Sequence, residues 1–301
     1  MNYLDELAEQ CRISGCDLKT DRLLSAYTTF KIGGECPAVV EINSAETAAH
    51  IAEWLKERGI KFAVLGRGSN IIASDNGFDG VILHFGSDFS EITVNGCTIT
   101  AQAGASLSAV CRAAQENGLT GMENLYGIPG TVGGGLYMNA GAYGTEMKDV
   151  VSSAGYLDPA GKSGTMMLPE MKLSYRHSAF SENNCIVTSV TFSLKKGDKD
   201  EIKSAMTECL GKRTSKQPLE YPSAGSTFKR PEGSYASLLI EQCGLKGYTV
   251  GGAQVSEKHS GFVINIGGAS AEDVLKLCGD VKKVVREKTG YVLELEPIIL
   301  E

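Results

Sequence analysis

The first apolar positions of the chain recur with the spacing of a helix. Leu4, Leu7, Ala8 and Cys11 fall on one face when the residues are placed 3.6 to a turn. This spacing predicts a short amphipathic helix ahead of the main fold. The helix belongs to a predicted N-terminal segment of residues 1–20, after which the pattern of apolar positions changes.

A strand, a helix and a second strand follow in turn. Residues 37–42 predict a strand, residues 45–58 have helical periodicity, and residues 61–65 predict the next strand. Asn43, with Glu46 three residues later, is typical of a helix N-cap. The region is therefore predicted to be a β-α-β unit, and a glycine-bearing turn follows its second strand.

The next region has a different alternation, with a period of two. Residues 91–95 and 97–102 form two short alternating runs, and Asn95-Gly96 at their junction is the strongest local signal for a β-hairpin. Further elements are predicted as a helix at residues 106–117 and strands at residues 150–157 and 185–194. Antiparallel strands after a β-α-β unit favour an α+β fold over a doubly wound sheet.

A run of charged residues at 195–200 predicts a surface crossing into a second domain. Beyond it, helices are predicted near residues 201–211 and 236–243, and strands at residues 261–266 and 291–300. Ser270, with Asp273 three residues on, predicts the N-cap of a last helix. The apolar face of that helix is formed by Val274, Leu277, Cys278, Val281 and Val285.

Composition and charge exclude several classes of protein. The 301 residues are 42% hydrophobic and 22% charged, which excludes wholesale disorder, and the length favours two domains. The formal net charge of -7 argues against nonspecific nucleic-acid binding. Only glycine is unusual, with 36 glycines against 8 prolines, and this indicates tight turns and close backbone approaches.

The nine cysteines are scattered from Cys11 to Cys278, and no two have the two-residue separation that metal and dithiol sites favour. We therefore expect reduced, mostly buried thiols and no metal site. The first residues lack a basic segment followed by an apolar run, so no secretory signal is expected. A cytoplasmic protein is the corresponding expectation.

Residues 124–145 carry no charged side chain, yet seven glycines, Pro129 and two asparagines exclude a membrane span. Dense glycines let backbone N–H groups approach an anion such as a diphosphate. A tight structural crossover explains the same glycines, and the pattern leaves both interpretations open. Residues 66–70, which follow a strand end, are a candidate second segment of such an anion-binding site. Because Ile71 stands where a third glycine is needed, these residues are not a Rossmann motif.

Six segments resemble the UDP-N-acetylenolpyruvoylglucosamine reductase family in order and spacing over nearly the whole chain. They are YTTFKIGG at residues 27–34, LGRGSN at 65–70, GIPG at 127–130, NAGAYG at 139–144, YRHSAF at 175–180 and AGSTFK at 224–229. The segment FKRPEG at residues 228–233 is similar to the second, shorter type of this family, which lacks an extra loop in the substrate domain.

The resemblance implies an α+β protein with a vanillyl-alcohol-oxidase/PCMH-type FAD-binding fold plus a separate α+β substrate-binding domain. The implied domains are an FAD-binding domain of two subdomains at residues 21–195, a substrate-binding domain at 196–288, and a C-terminal strand at 289–301 that returns to the FAD domain. The implied reaction is the NADPH-dependent reduction of UDP-N-acetylglucosamine enolpyruvate to UDP-N-acetylmuramate through FAD, in peptidoglycan synthesis.

Three catalytic residues are implied by the resemblance: Arg176, Ser226 and Glu296. Hydride delivered from flavin N5 to the terminal enolpyruvyl carbon leaves negative charge on the carbon that bears the carboxylate. Arg176 can stabilise that charge, Ser226 can donate the proton, and Glu296 can polarise the carboxylate or relay a proton. Without the resemblance, Arg176 would be interpreted as a surface ion-pair residue and Ser226 as a turn residue. Glu294 stays an alternative to Glu296, because the sequence after Glu296 departs from the family pattern.

The resemblance also implies binding residues. The FAD-binding set is Gly66, Arg67, Gly68, Ser69, Asn70, Gly127, Ile128, Pro129, Gly130, Gly133, Gly134, Asn139, Gly141, Ala142, Tyr143 and Arg176. The substrate-binding set is Tyr175, Lys216, Lys229 and Arg230. The two lysines and the arginine would supply cations to a diphosphate, and a solvated charged face is the alternative for these three residues.

FAD is expected to be non-covalent, because no histidine lies in residues 66–70. A monomer is expected. Two other functions stay open: an oxidase on the same flavin scaffold, and a nucleotide-sugar-binding module without catalysis.

Overall fold

The computed structural model describes residues 3–301, and the chain divides into two units built from interleaved segments. The first unit contains the described residues up to Thr20 together with Ala38–Arg67 and Gly80–Lys212. The second unit contains Asp21–Pro37, Gly68–Asp79 and Arg213–Glu301. Met1 and Asn2, the first residues of the predicted segment 1–20, lie outside the described residues.

The described chain contains both α-helices and β-strands. The helices are α1 (Tyr3–Ser14), α2 (Ala45–Glu57), α3 (Leu107–Glu116), α4 (Val132–Tyr137), α5 (Ala179–Glu182), α6 (Lys199–Lys216), α7 (Ala236–Gln242) and α8 (Ala271–Thr289). The strands are β1 (Asp17–Leu23), β2 (Glu35–Glu41), β3 (Phe62–Leu65), β4 (Ile71–Ala73), β5 (Val81–His84), β6 (Ile92–Asn95), β7 (Thr98–Gln102), β8 (Leu119–Thr120), β9 (Gly141–Ala142), β10 (Thr145–Glu146), β11 (Val151–Leu157), β12 (Ser163–Met167), β13 (Ile186–Ser193), β14 (Lys195–Lys196), β15 (Ser223–Ser226), β16 (Thr249–Val250), β17 (Ala253–Val255), β18 (Phe262–Asn265) and β19 (Ile298–Leu300).

One sheet of the first unit is built on parallel strands in the order β1-β2-β5-β3. β2 and β3 both run parallel to β5, so that Val39 and Ala63 lie on either side of Ile82. Leu7 of α1 and Ile51 of α2 are fully buried in the core that this sheet shares with the two helices. The predicted β-α-β unit is thus formed by β2, α2 and β3, with β5 between its strands.

The predicted N-cap of α2 is wrong by one residue. Ser44 has extended backbone and its Oγ accepts a hydrogen bond from the Thr47 N–H at 3.0 Å, so Ser44 is the N-cap. Asn43 instead donates from Nδ2 to the Gly15 carbonyl at 2.7 Å. Two adjacent polar residues with N-cap propensity made the sequence ambiguous, and the start of the helical backbone decides between them.

The other large sheet of the first unit is antiparallel, in the order β12-β11-β13-β7-β6. The hairpin predicted at Asn95-Gly96 is confirmed, with Asn95 of β6 opposite Thr98 of β7. Leu107 of α3 and Leu136 of α4 are fully buried in the core that includes this sheet. Helix α4 lies inside the charge-free segment and was not predicted from the sequence.

The second unit contains an antiparallel sheet in the order β15-β18-β17-β16. The predicted N-cap of its last helix is confirmed, because Ser270 Oγ accepts from the Asp273 N–H at 3.0 Å. The predicted apolar face of α8 is also confirmed, since its five residues are each at most 1% exposed. They are Val274, Leu277, Cys278, Val281 and Val285.

Two early segments belong to the second unit through long-range contacts. β4 pairs in parallel with the C-terminal β19, with Ile71 opposite Ile298. Phe30 packs in the same core as α8, and Thr29 donates from Oγ1 to the Ser223 carbonyl at 2.7 Å. These contacts explain why residues 21–37 and 68–79 group with the C-terminal residues, whereas the predicted FAD domain was a continuous segment.

Two further boundaries differ from the predicted domains and elements. Ile202 and Met206 of α6 are buried in a core of the first unit, so this unit extends to Lys212 rather than to residue 195. The strand predicted at residues 291–300 is reduced to β19 and an isolated bridge at Leu295. Among residues 3–301, no helix has the length and apolar character to cross a bilayer.

Candidate active site

Two of the predicted binding loops meet in the first unit. Gly66 directly follows β3, and a Cβ atom at this position would overlap the side chain of Thr131. Thr131 is buried and is the N-cap of α4, since its Oγ1 accepts from the Gly134 N–H at 3.3 Å. Only glycine permits this approach, so the close contact explains the residue type at position 66.

Most backbone donors in the glycine-rich segment are already used inside the protein. Val132 N–H donates to the Ala105 carbonyl at 2.7 Å, Gly133 N–H to the Ala103 carbonyl at 2.9 Å, and Gly135 N–H to the Thr131 carbonyl at 2.8 Å. A Cβ on Gly133 would lie 2.9 Å from that of Ala103. These glycines therefore let α4 pack closely, as in the structural-crossover interpretation.

The loop after β3 is different. No described residue accepts a hydrogen bond from the N–H groups of Arg67, Gly68 or Ser69. Gly68 has a φ of +58° and packs against the backbone of Tyr27 and Thr28, which leaves no room for a side chain. Consecutive N–H donors without an internal partner are the donor set that an anionic diphosphate requires. This loop therefore offers donors of the kind that a diphosphate, such as that of FAD, would accept.

Asn139 is a fully buried residue that joins three parts of the first unit. Its Nδ2 donates to Glu146 Oε2 at 2.9 Å and to the Ser174 carbonyl at 3.0 Å, and its Oδ1 accepts from the Lys148 N–H at 3.0 Å. All side-chain polar atoms of Asn139 are thus engaged with the protein. The side chain therefore fixes the shape of this part of the first unit, and the role of Asn139 in FAD binding stays a prediction.

The loop that follows Asn139 presents Tyr143 to solvent. β9 and β10 pair as a hairpin, with Tyr143 and Gly144 at its tip in left-handed backbone conformations, φ +50° and +88°. Asn124 Nδ2 donates to the Tyr143 carbonyl at 3.2 Å and so holds the tip.

Arg176 lies in a tight turn of the first unit with a φ of +55°. Ser174 and His177 exchange both backbone hydrogen bonds across this turn at 3.1 Å each. The Arg176 guanidinium carbon lies 5.0 Å from the centre of the exposed Tyr175 ring. Asn139 fixes one side of the turn through its hydrogen bond to the Ser174 carbonyl. The proximity of Arg176 to Tyr175 follows from their being consecutive in the sequence.

The electrostatics around the turn are set by Glu146. Its pKa is lowered first by the hydrogen bond from Lys148 Nζ, and also by the bond from Asn139 and by the charge of Arg176. Glu146 is therefore an anion at neutral pH, and the Asn139 side chain connects it to the turn that carries Arg176.

In the second unit, the segment that contains Glu296 lies beside the end of the strand that carries Ser226. Ser226, at the exposed end of β15, lies opposite Phe262 of β18. The next residue, Thr227, accepts at its carbonyl from the Glu296 N–H at 3.0 Å. Asn70 also contacts the Glu296 segment, because its Nδ2 donates to the Glu296 carbonyl at 3.3 Å. Three residues that the sequence separates by up to 226 positions are thus adjacent.

Glu294 and Glu296 have different surroundings. The Glu294 side chain is 71% exposed and accepts from Lys229 Nζ at 3.3 Å. Glu296 is partly buried beside the segment that carries Ser226. The exposed ion pair of Glu294 with Lys229 also reduces the positive charge that Lys229 can offer to a substrate.

The two remaining cations of the predicted substrate-binding set have different surroundings. Lys216 is exposed at the end of α6. Arg230 stacks on Tyr235, with its guanidinium carbon 4.5 Å from the ring centre. Such a stack fixes the arginine over an aromatic face.

His259 is a candidate active-site residue that the sequence analysis did not identify. Burial lowers its pKa, and the positive charges of Lys246 and Lys216 act in the same direction. Its ring lies 5.0 Å from that of Phe262, the residue opposite Ser226. The sequence around His259 carries no periodic or spacing signal that would have identified it.

Comparison with known proteins supplies the family context. The family model described as an FAD binding domain matches residues 36–165, and the one described as the UDP-N-acetylenolpyruvoylglucosamine reductase C-terminal domain matches residues 217–300. The chain is 46% identical over 280 residues to the UDP-N-acetylenolpyruvoylglucosamine reductase of Clostridium novyi, covering 93% of this chain and 91% of that protein. It is 44% identical over 284 residues to the enzyme of the same name from Clostridioides difficile, covering 94% and 93%.

A solved structure agrees with these matches. The crystal structure of UDP-N-acetylenolpyruvylglucosamine reductase from Thermus caldophilus superposes with a TM-score of 0.82 at 32% identity, covering 95% of this chain and all of that chain. The predicted α+β class with an FAD-binding fold and a separate substrate domain is thereby confirmed.

Proposed function

Because the chain belongs to the UDP-N-acetylenolpyruvoylglucosamine reductase family of FAD-dependent oxidoreductases, we propose that it reduces UDP-N-acetylglucosamine enolpyruvate to UDP-N-acetylmuramate with NADPH, in cytoplasmic peptidoglycan synthesis. The observation that carries this proposal is the adjacency of the Ser226 and Glu296 segments, linked by the 3.0 Å hydrogen bond from Glu296 N–H to the Thr227 carbonyl. This adjacency supports a common catalytic role for Ser226 and Glu296, which the family resemblance implies are both catalytic.

The loops of residues 66–70 and 127–144 are proposed to hold FAD without a covalent bond. The unpartnered N–H groups of Arg67, Gly68 and Ser69 would donate to its diphosphate, and the contact of Gly66 with Thr131 fixes the origin of this loop. FAD bound by these loops would supply the hydride chemistry, with NADPH as the reductant and the enolpyruvyl double bond as the group that is reduced.

Arg176 is proposed to bind the substrate carboxylate and to stabilise the negative charge that forms beside it. A guanidinium can donate two parallel hydrogen bonds to a carboxylate, which fixes its orientation as well as its charge. The strained turn, tied by Ser174 and His177, holds the arginine in place before the substrate binds, so little reorganisation is needed during the reaction. Tyr175 stacks beside it and would line the same substrate group.

Ser226 is proposed to donate the proton that completes the reduction. An exposed hydroxyl is a weak acid, so its transient alkoxide needs a neighbour that carries or relays a proton. Glu296 is the carboxyl group on the adjoining segment, and its partial burial supports this role better than the exposed, ion-paired position of Glu294.

The substrate diphosphate is proposed to bind near Lys216. His259 and Lys246 share the electrostatic environment of Lys216, and the pKa of His259 is lowered by burial and by both lysines. Glu241 pairs with Lys246 at 2.7 Å and acts on His259 in the opposite direction, so Lys216 is the cation of this group that is proposed to meet the diphosphate. Arg230 and Lys229 are the further cations of this proposal, with Lys229 the weaker because Glu294 already pairs with it.

The visible spectrum of the purified protein tests this function. We expect flavin absorbance that bleaches anaerobically with NADPH and returns when UDP-N-acetylglucosamine enolpyruvate is added. A flavoprotein that consumes oxygen with a simple alcohol and ignores the UDP-sugar would be an oxidase. A colourless protein that binds the UDP-sugar would refute both flavin-dependent functions.

A further inference from the structure

The C-terminal end of helix α1 has the hydrogen bonds of a Schellman motif. The Cys16 N–H donates to the Cys11 carbonyl at 3.0 Å, and the Gly15 N–H donates to the Arg12 carbonyl at 3.4 Å. Gly15 has a left-handed φ of +64°, as this motif requires at its C′ position. Cys16 is therefore the C″ residue and Cys11 the C3 residue of this helix end.

The Schellman geometry brings the C3 and C″ side chains into contact, and these are usually two apolar residues. Here both are cysteines. Cys11 is 2% exposed and packs in the core with Leu7, whereas Cys16 packs against the same core but is partly exposed. The chain thus places a buried thiol beneath one that solvent can reach.

The two thiols affect each other. Hydrogen bonding to Cys11 lowers the pKa of Cys16, although burial and Asp17 act against this shift. The pKa of Cys11 is raised by the same hydrogen bond and by burial. A thiolate is the attacking species in thiol–disulfide exchange, so the exposed Cys16 is the one suited to react first.

We propose that Cys11 and Cys16 are a redox-active dithiol that reacts with low-molecular-weight disulfides to form an intramolecular disulfide. The Cys16 thiolate attacks one sulfur of the small disulfide, which forms a mixed disulfide and releases one small thiol. Cys11 then attacks the Cys16 sulfur and displaces the second small thiol. Two protein thiols are oxidised, one small disulfide is reduced to two thiols, and the two protein protons end on those thiols.

The other cysteines lack this arrangement. Cys111 and Cys209 are buried, and each thiol donates to a backbone carbonyl, that of Met122 for Cys111 and that of Asn124 for Cys209. Cys97 is partly exposed like Cys16, but it is not at such a helix end. Cys97 is therefore the matched control for exposure without a partner.

The test is to treat the purified full-length protein with oxidised glutathione and analyse tryptic peptides by mass spectrometry. Trypsin cleaves after Arg12 and Lys19, so it separates the two cysteines. We expect residues 1–12 and 13–19 to appear as one cross-linked pair that dithiothreitol separates. Cys16 should react about tenfold faster than Cys97, because the neighbouring Cys11 thiol lowers the pKa of Cys16.

The variants give distinct results. Cys97→Ser should still cross-link, Cys16→Ser should leave Cys11 reduced, and Cys11→Ala should keep glutathione on the peptide of residues 13–19. A wild-type protein that retains glutathione on Cys16 without a cross-link would overturn the proposal, as would no reaction at Cys16. Both of these results are measured on the wild-type protein, so the test stays decisive even if the Cys11→Ala variant does not fold.

Discussion

Replacing Asn139 should disrupt the loops of the first unit more than any surface substitution. Asn139→Ala removes three hydrogen bonds, to Glu146, Ser174 and Lys148, each worth about 1 kcal/mol. It also places alanine at a φ of +42°, which costs about 1 kcal/mol in the left-handed region. We therefore expect the free energy of unfolding to fall by about 4 kcal/mol.

The Asn139→Asp variant separates the contribution of the hydrogen bonds from that of the left-handed backbone conformation. Aspartate tolerates the left-handed conformation and keeps the acceptor for the Lys148 N–H, but it loses both donors and sets a second carboxylate beside Glu146. We expect a loss of about 3 kcal/mol at pH 7. Part of it should be recovered at lower pH, because like charge raises the pKa of the introduced group and its protonation then relieves the repulsion.

Urea unfolding followed by circular dichroism measures both variants, and an unchanged slope with a lower midpoint identifies a loss of stability. Asn117→Ala is the control, since Asn117 is exposed and makes one local side-chain bond, to the Ala113 carbonyl at 2.8 Å; it should change stability by about 0.5 kcal/mol or less. If Asn139→Ala loses less than about 1 kcal/mol, the three hydrogen bonds do not hold the loops as argued.

Three further predictions concern the second unit. In Ser226→Ala, NADPH should still bleach the flavin while reoxidation by the enolpyruvyl substrate slows about 10²- to 10⁴-fold in stopped-flow absorbance, and loss of the NADPH step instead would refute the proton-donor role. Glu296→Gln should lower kcat, whereas Glu294→Gln should leave it near the wild-type value; the reverse result would exchange their roles. Hydrogen bonds from the Gly252 and Ser270 N–H groups lower the pKa of Asp273, so their stabilisation should be present above pH ~4 and lost as the pH falls through the folded-state pKa. Unfolding of wild type and Asp273→Asn between pH 7 and 3 checks this, and a stability difference that does not shrink on acidification would contradict it.

Local signals predicted the elements whose determinants are close in sequence. The apolar face of α8 and its Ser270 cap follow from residues within a few turns of one another, and Asn95-Gly96 specifies its hairpin through its own backbone preferences. The same local information misplaced the cap of α2 by one residue. It also missed α4, because glycines disfavour a helix that the Thr131 cap and burial of Leu136 stabilise.

The sequence by itself therefore determined the positions of the longer helices and of the Asn95-Gly96 hairpin, the α+β class and, through six ordered segments, the family. Only the tertiary structure decided which of Glu294 and Glu296 lies beside the Ser226 segment, that His259 packs against Phe262, and that Asn139 supports the Arg176 turn. The physical reason is distance along the chain. Periodicity and capping depend on neighbours a few residues away, whereas these arrangements depend on strand pairing and buried hydrogen bonds between segments far apart, which no local pattern encodes.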